Sequence, residues 1–151
     1  MENLLIYQFL PNFSPEENWG NPYAMDPLYL TVLQAIRTGI DLPIVINCAA
    51  DREGHAANSN HYKRPCPVSD LRVPDVSFRE AIFLLEEQIE KLQIADMIEL
   101  GLYPQWRMID TGAPAPGFHF GLSDKAGRWG KLSTAYVTYE AARDYAFKNE
   151  M

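Results

Sequence analysis

The chain contains only three histidines, and two of them stand where chemistry is easy to place. His61 lies in Ser59-Asn60-His61, within a polar stretch over 49–67, and Asp70 follows nine residues later at the start of an apolar run. His119 sits much further on, in Gly117-Phe118-His119-Phe120. Two imidazoles and a carboxylate, with a fourth position open, form the usual ligand set of a catalytic zinc site. The same residues also suit an ordinary protein: an exposed loop histidine, a capping or surface aspartate, and a core histidine with a hydrogen-bond partner. Residue type and order leave both readings open. Cys66, between His61 and Asp70, is either a further ligand or a small apolar filler. A disulfide to Cys48 has no support beyond the even count, and a cytosolic redox poise would oppose it. His55, in Glu53-Gly54-His55, reads as a surface residue or one that stands behind the ligands.

The elements that must position these groups are short, because eleven prolines and nine glycines interrupt the chain. Residues 11–25 are polar and rich in Pro and Asn, so they are expected to wrap the surface. Asp26 and Pro27 mark a helix start, Gly39 a stop, and Tyr29, Val32, Leu33 and Ile36 share one face. The β-branched run over 43–48 reads as a strand buried on both faces. A long loop then carries His55 and His61, and loops of that length in a compact domain are usually functional or disordered. A strand is expected over 68–73. Ser77 and Glu80 form a capping box for an amphipathic helix to about Lys91 or beyond, with Gly101 the latest stop. Further strands are expected over 102–108, 117–122 and 132–137, and Thr138 can cap a last helix. Helices and strands mix without βαβ alternation, which gives an α+β class: a small, mainly antiparallel sheet with flanking helices.

With 151 residues, 47% hydrophobic, the chain is sized for a single domain over 1–151. A net charge of −7 argues against nucleic acid and against anionic membrane surfaces as partners. No apolar run is long enough to span a bilayer. Met1 to Leu10 carries no basic residue, so no secretory leader is expected and a cytoplasmic location follows.

The order of motifs resembles one family over roughly 12–130. After the Asp26 helix come Leu42-Pro43-Ile44-Val45-Ile46-Asn47, Arg52, Ser59-Asn60-His61 and Val68-Ser69-Asp70-Leu71-Arg72. Leu100-Gly101-Leu102-Tyr103-Pro104, Gly117-Phe118-His119-Phe120 and Gly127-Arg128-Trp129 complete the series. The chain thereby resembles the zinc D-Ala-D-Ala carboxypeptidases, a family that includes phage L-Ala-D-Glu endolysins and shares its fold with the hedgehog signalling domain. The resemblance implies a hedgehog-like or DD-peptidase-like fold, zinc as cofactor, and a peptidoglycan stem peptide as substrate. It implies that His61, Asp70 and His119 hold the metal and that Arg52 grips the substrate carboxylate, a task suited to a planar guanidinium. A phage-encoded enzyme acting on the cell wall would fit this pattern.

The departures from the family bear on catalysis. The family spaces its first His and Asp by seven, and here Arg64-Pro65-Cys66-Pro67 lengthens the connection. Members carry a proton acceptor within three residues of the last His, whereas this chain has Pro116, Gly117 and Gly121 there. A base must therefore come from elsewhere. Asp110, in the insertion over 105–115, is the first choice and Asp124 the second. Two functions follow: a zinc metallopeptidase hydrolysing peptidoglycan stem peptides, or a non-catalytic zinc-binding or structural module of the same fold.

Overall fold

The computed structural model describes residues 4–151. Among them lie α1 (Leu4–Tyr7), α2 (Pro27–Ile40), β1 (Val45–Cys48), β2 (Val68–Arg72), α3 (Phe78–Lys91) and β3 (Ile98–Tyr103). They are followed by β4 (Gly117–Leu122), β5 (Gly127–Leu132), β6 (Ala135–Thr138) and α4 (Tyr139–Lys148). The strands form one open sheet in the order β1-β2-β4-β3-β5-β6. All neighbours run antiparallel except β3 and β5, which are parallel. The α+β class is as expected, but the sheet is mixed and does not close into a barrel. No described helix is long and apolar enough to cross a membrane.

The helix starts follow local chemistry. Asp26 accepts from Leu28 N at 2.8 Å with Pro27 in the first turn, Ser77 from Glu80 N at 3.2 Å, and Thr138 from Ala141 N at 3.1 Å. Helix α2 passes Gly39 and stops at Asp41, whose φ of 56° is left-handed. Gly39 serves a different purpose from a stop: a Cβ there would overlap the Gln88 amide of α3, so its bareness lets the two helices approach. The expected surface wrap over 11–25 instead delivers Phe13, Trp19 and Met25 to the core, with Trp19 Nε1 donating to Ser14 O at 2.7 Å.

One sheet face is the core. Leu71, Leu100, Leu102, Phe118 and Phe120 are fully buried there. Phe78 of α3 packs on Phe118 with ring centroids 4.9 Å apart, and Tyr29 of α2 packs on Phe120 while hydrogen-bonding Ser69 at 2.5 Å. Strand β1, expected to be buried on both faces, is an edge strand with Asn47 exposed. On the opposite face the register places Cys48, Asp70, His119, Gly101, Trp129 and Thr138 in one lateral row across all six strands. Paired residues share a face. That row contains two of the three residues expected to bind metal.

Candidate metal centre

Asp70 and His119 are directly paired on β2 and β4, and burial of Phe118 and Phe120 beneath them fixes the height of the His119 ring. His61 comes from the long loop. Its turn (Asn60–Tyr62) is capped by Ser59 Oγ, which accepts from His61 N at 3.2 Å. Arg64 braces the turn by donating to the carbonyls of His61 and Asp51, each at 2.8 Å. The longer His61-to-Asp70 connection is thereby absorbed before β2 begins.

Asp70 Oδ1 lies 3.3 Å from His61 Nε2 and 3.2 Å from His119 Nδ1. The remaining nitrogens are held from outside: His61 Nδ1 donates to Ala49 O at 2.7 Å and His119 Nε2 donates to Glu99 Oε1 at 2.6 Å. Each imidazole is thus anchored by one nitrogen and aims the other at the same oxygen. Metal-ligating histidines are oriented in this way. Donors 2.0–2.1 Å from a tetrahedral ion stand about 3.3–3.4 Å apart, close to both separations. Charge-assisted hydrogen bonds are shorter, about 2.7–2.9 Å. Two imidazole nitrogens and one carboxylate oxygen, all within 4.8 Å of one another, could therefore hold a metal ion.

Electrostatics reinforce the pairing. Burial opposes charge on Asp70, but hydrogen bonds from His119 and His61 outweigh it and hold the carboxyl well below its usual range. Burial likewise opposes charge on His119, yet Asp70 and Glu99 outweigh it and raise the imidazole to about 9. In the metal-free chain the charged His119 ring donates from Nε2 to Glu99 and from Nδ1 to Asp70, and a metal must displace the Nδ1 proton. Zinc affinity is therefore expected to rise about tenfold per pH unit from pH 7 towards about 9 and then level off. Competition against a chelator of known pH behaviour measures this, and a flat profile would contradict the assignment of His119 Nδ1 as donor. The stabilisation this pair gives the metal-free fold is complete between the unfolded carboxylate value of ~3.9 and the unfolded imidazole value of ~6.5. It is lost as pH rises through about 9.

Glu99 was not among the residues expected at the site. The helix-to-strand boundary falls earlier than anticipated, so Ile98-Glu99-Leu100-Gly101 is strand, and the period of two turns Glu99 and Gly101 to the His119 face. An acid alternating with buried aliphatic residues was the available signal. Glu99 Oε2 accepts from Asn60 Nδ2 at 2.8 Å, so one carboxylate ties the His119 ring to the His61 turn. Glu99→Gln is expected to lower zinc affinity about 10–100-fold with little change in fold, read by calorimetric titration.

Other expected residues lie elsewhere. Asp110 is exposed at the tip of a loop that folds on itself through the Arg107–Pro114 bridge and the Arg107 Nη1 to Gly112 O bond of 2.9 Å. Asp110 does not line the cavity over His61, Asp70 and His119. Asp124 is exposed in the turn after β4, and Arg52 is exposed on the long loop; neither lines that cavity. Gly121 could not be replaced by an acid in place, since its Cβ would overlap Val68. Cys66 is fully buried with Sγ donating to Val68 O at 3.4 Å, away from the ligands, and both cysteines are free thiols.

A different set gathers instead. Donor atoms of Cys48, Asp51, His55 and His61 lie within 4.8 Å of one another. His55 Nε2 is 2.8 Å from Asp51 Oδ2, and its ring stacks on His61 at 3.8 Å. Cys48 Sγ donates to Asp70 Oδ2 at 3.3 Å; burial, followed by the Asp70 carboxylate, pushes this thiol up. Three potential ligands within eight residues after a strand were the missed signal.

These groups open into a cavity of about 660 Å³ with an aromatic wall of Tyr103, Trp106, Trp129 and Tyr136. The Trp129 indole reaches His119, with ring centroids 5.1 Å apart, across Gly101, where a Cβ would sit only 2.8 Å from it. Among the described residues Lys131 is the sole lysine or arginine on the wall, its Nζ 5.1 Å from the Tyr136 ring centroid, and Asp51, Glu53, Asp70 and Glu99 are the acids there. No family model, curated protein or solved structure matches this chain, so the chemistry of the site rests on its own atoms.

Proposed function

We propose that this protein is a zinc-binding domain whose ion is held by His61, Asp70 and His119 beneath an open, aromatic-walled cavity. The observation that carries the reading is the convergence of two imidazoles on Asp70 Oδ1, each pinned behind by Ala49 O or Glu99. Bound zinc would act there as a Lewis acid towards a carbonyl or similar ligand oxygen. The chain's own residues orient the rings, cover one side of His119 with Trp129, and place Lys131 on the cavity wall for an anionic ligand. Metal analysis and zinc titration of chelator-treated protein test this. At least one zinc per chain is expected, and absence of binding would overturn it.

A second reading, hydrolysis of cell-wall peptides in the manner of D-Ala-D-Ala carboxypeptidases or L-Ala-D-Glu endolysins, is favoured by the cavity itself. Its size admits a short peptide, and Lys131 supplies the carboxylate contact that Arg52 was expected to make. Both Glu99 oxygens are engaged, by His119 and Asn60, so Glu99 positions a ring and is not the proton acceptor. The metal-binding reading therefore stands first. Release of D-Ala or of a stem peptide from peptidoglycan fragments by the zinc-loaded chain would establish hydrolysis; bound zinc without turnover leaves the binding domain. In either case Lys131→Ala is expected to weaken binding of carboxylate-terminated peptides about 10–100-fold, the value of a hydrogen bond to a charged group. Equal binding by parent and variant would remove Lys131 from the role.

A further inference from the structure

The Asp70 carboxylate has two faces with different company. Oδ1 meets the two imidazoles, while Oδ2 meets Cys48 Sγ at 3.3 Å. Within 4.8 Å of Cys48 lie Asp51 and His55, whose Oδ2 and Nε2 atoms hydrogen-bond at 2.8 Å in the metal-free chain, a bond that a shared ion would replace. His61 is close to both groups, but its Nδ1 is bonded to Ala49 O, so it has only Nε2 to offer and can serve one ion. Once His61 joins Asp70 Oδ1 and His119, the remaining donors are Cys48 Sγ, Asp51 Oδ2, His55 Nε2 and Asp70 Oδ2. Cys48, Asp51 and His55 lie within 4.8 Å of one another, and Cys48 Sγ links them to Asp70 Oδ2.

We propose that the centre is binuclear: a second divalent cation of the zinc type is held by Cys48, Asp51 and His55, with the Asp70 carboxylate bridging the two ions. The proposal rests on the zinc reading above and extends it. Sulfur, imidazole and carboxylate together select zinc or cobalt over magnesium or calcium, which take oxygen ligands. The loop geometry is built for these side chains. Tyr62 Oη accepts from His55 N at 2.8 Å and donates to His55 O at 3.0 Å, which fixes the His55 backbone, and the ring is clamped flat against His61. Asp51 is held at the chain by Arg64 on its carbonyl. The charge balance points the same way. Four carboxylates line one cavity with Lys131 as its only lysine or arginine, and a second cation offsets that excess. Paired ions are also a known way to clamp the two oxygens of a displacement, which suits a site with no free carboxylate beside His119.

Cobalt(II) titration of the metal-free full chain tests the proposal, because thiolate ligation adds a charge-transfer absorption that imidazole and carboxylate lack. The expected result is two cobalt ions per chain with a thiolate band. Cys48→Ser should lose the band and one ion while keeping the other. His55→Ala, a loop change that leaves the sheet intact, should likewise lose one ion and guards against misfolding of the Cys48 variant. His119→Ala should lose one ion and keep the band. One cobalt without a thiolate band overturns the second site and leaves the zinc reading standing. One cobalt with the band overturns the pair and moves the single ion to Cys48, and no cobalt sinks both readings.

Discussion

Replacing His61 with alanine is expected to reduce zinc affinity at the His61–Asp70–His119 centre by at least about 10³-fold, beyond the 10–100-fold cost of losing an orienting partner. The substitution removes one of the centre's three protein donors, and the neighbouring imidazole, His55, directs its Nε2 at Asp51 and not at Asp70. The fold should survive. His61 sits on a loop turn held by backbone bonds to Ser59 and Arg64, and Asp70 retains its bond to His119. Loss of the stacked His55 ring contact is worth about 0.5–1.5 kcal/mol. Calorimetric titration beside a melting curve of the metal-free variant separates the two effects. Affinity within tenfold of the parent would remove His61 from the centre.

The largest expected loss of stability comes from the other side of the sheet. Phe120→Ala should cost about 3–5 kcal/mol, as for other buried Phe truncations. Phe120 is wholly buried against Tyr29, with ring centroids 6.2 Å apart. At about 2–4 °C per kcal/mol for a chain of this size, the metal-free Tm should fall by roughly 10 °C. The functional consequence follows from register. Phe118 and Phe120 are the anchors between which His119 projects to the opposite face, so a loosened β4 should also weaken zinc binding. A loss below about 1 kcal/mol in denaturant unfolding would show that this face is not the packed core.

The helices were legible because their signals are local. Asp26-Pro27, Ser77 with Glu80, and Thr138 cap helices that begin where the residues imply. Strand β4, 117–122, was equally plain. Strand β5 was not: Gly127-Arg128-Trp129-Gly130-Lys131-Leu132 has two glycines and no β-branched residue. It is a strand because β3 offers it a parallel partner and Gly130 lets Ala142 of α4 pack close, since a Cβ there would overlap it. Asp110 illustrates the converse. Its nearness to β4 in the chain suggested nearness to His119, but the hydrogen bonds of its own loop turn it outward.

By itself the sequence determined that His61, Asp70 and His119 form a plausible ligand set, that the class is α+β, and that three capped helices must cover a sheet. Residue type, order and helical spacing carry that much. Only the tertiary structure decided which partners those ligands have. Glu99 reaches His119 from a neighbouring strand, and Cys48 shares a lateral row with Asp70 across two strands that lie twenty residues apart in the chain. His55 meets His61 because the loop folds one ring onto the other. Such pairings depend on strand register and loop closure, which are set by burial of the Phe118–Phe120 face and by backbone hydrogen bonds distant in sequence.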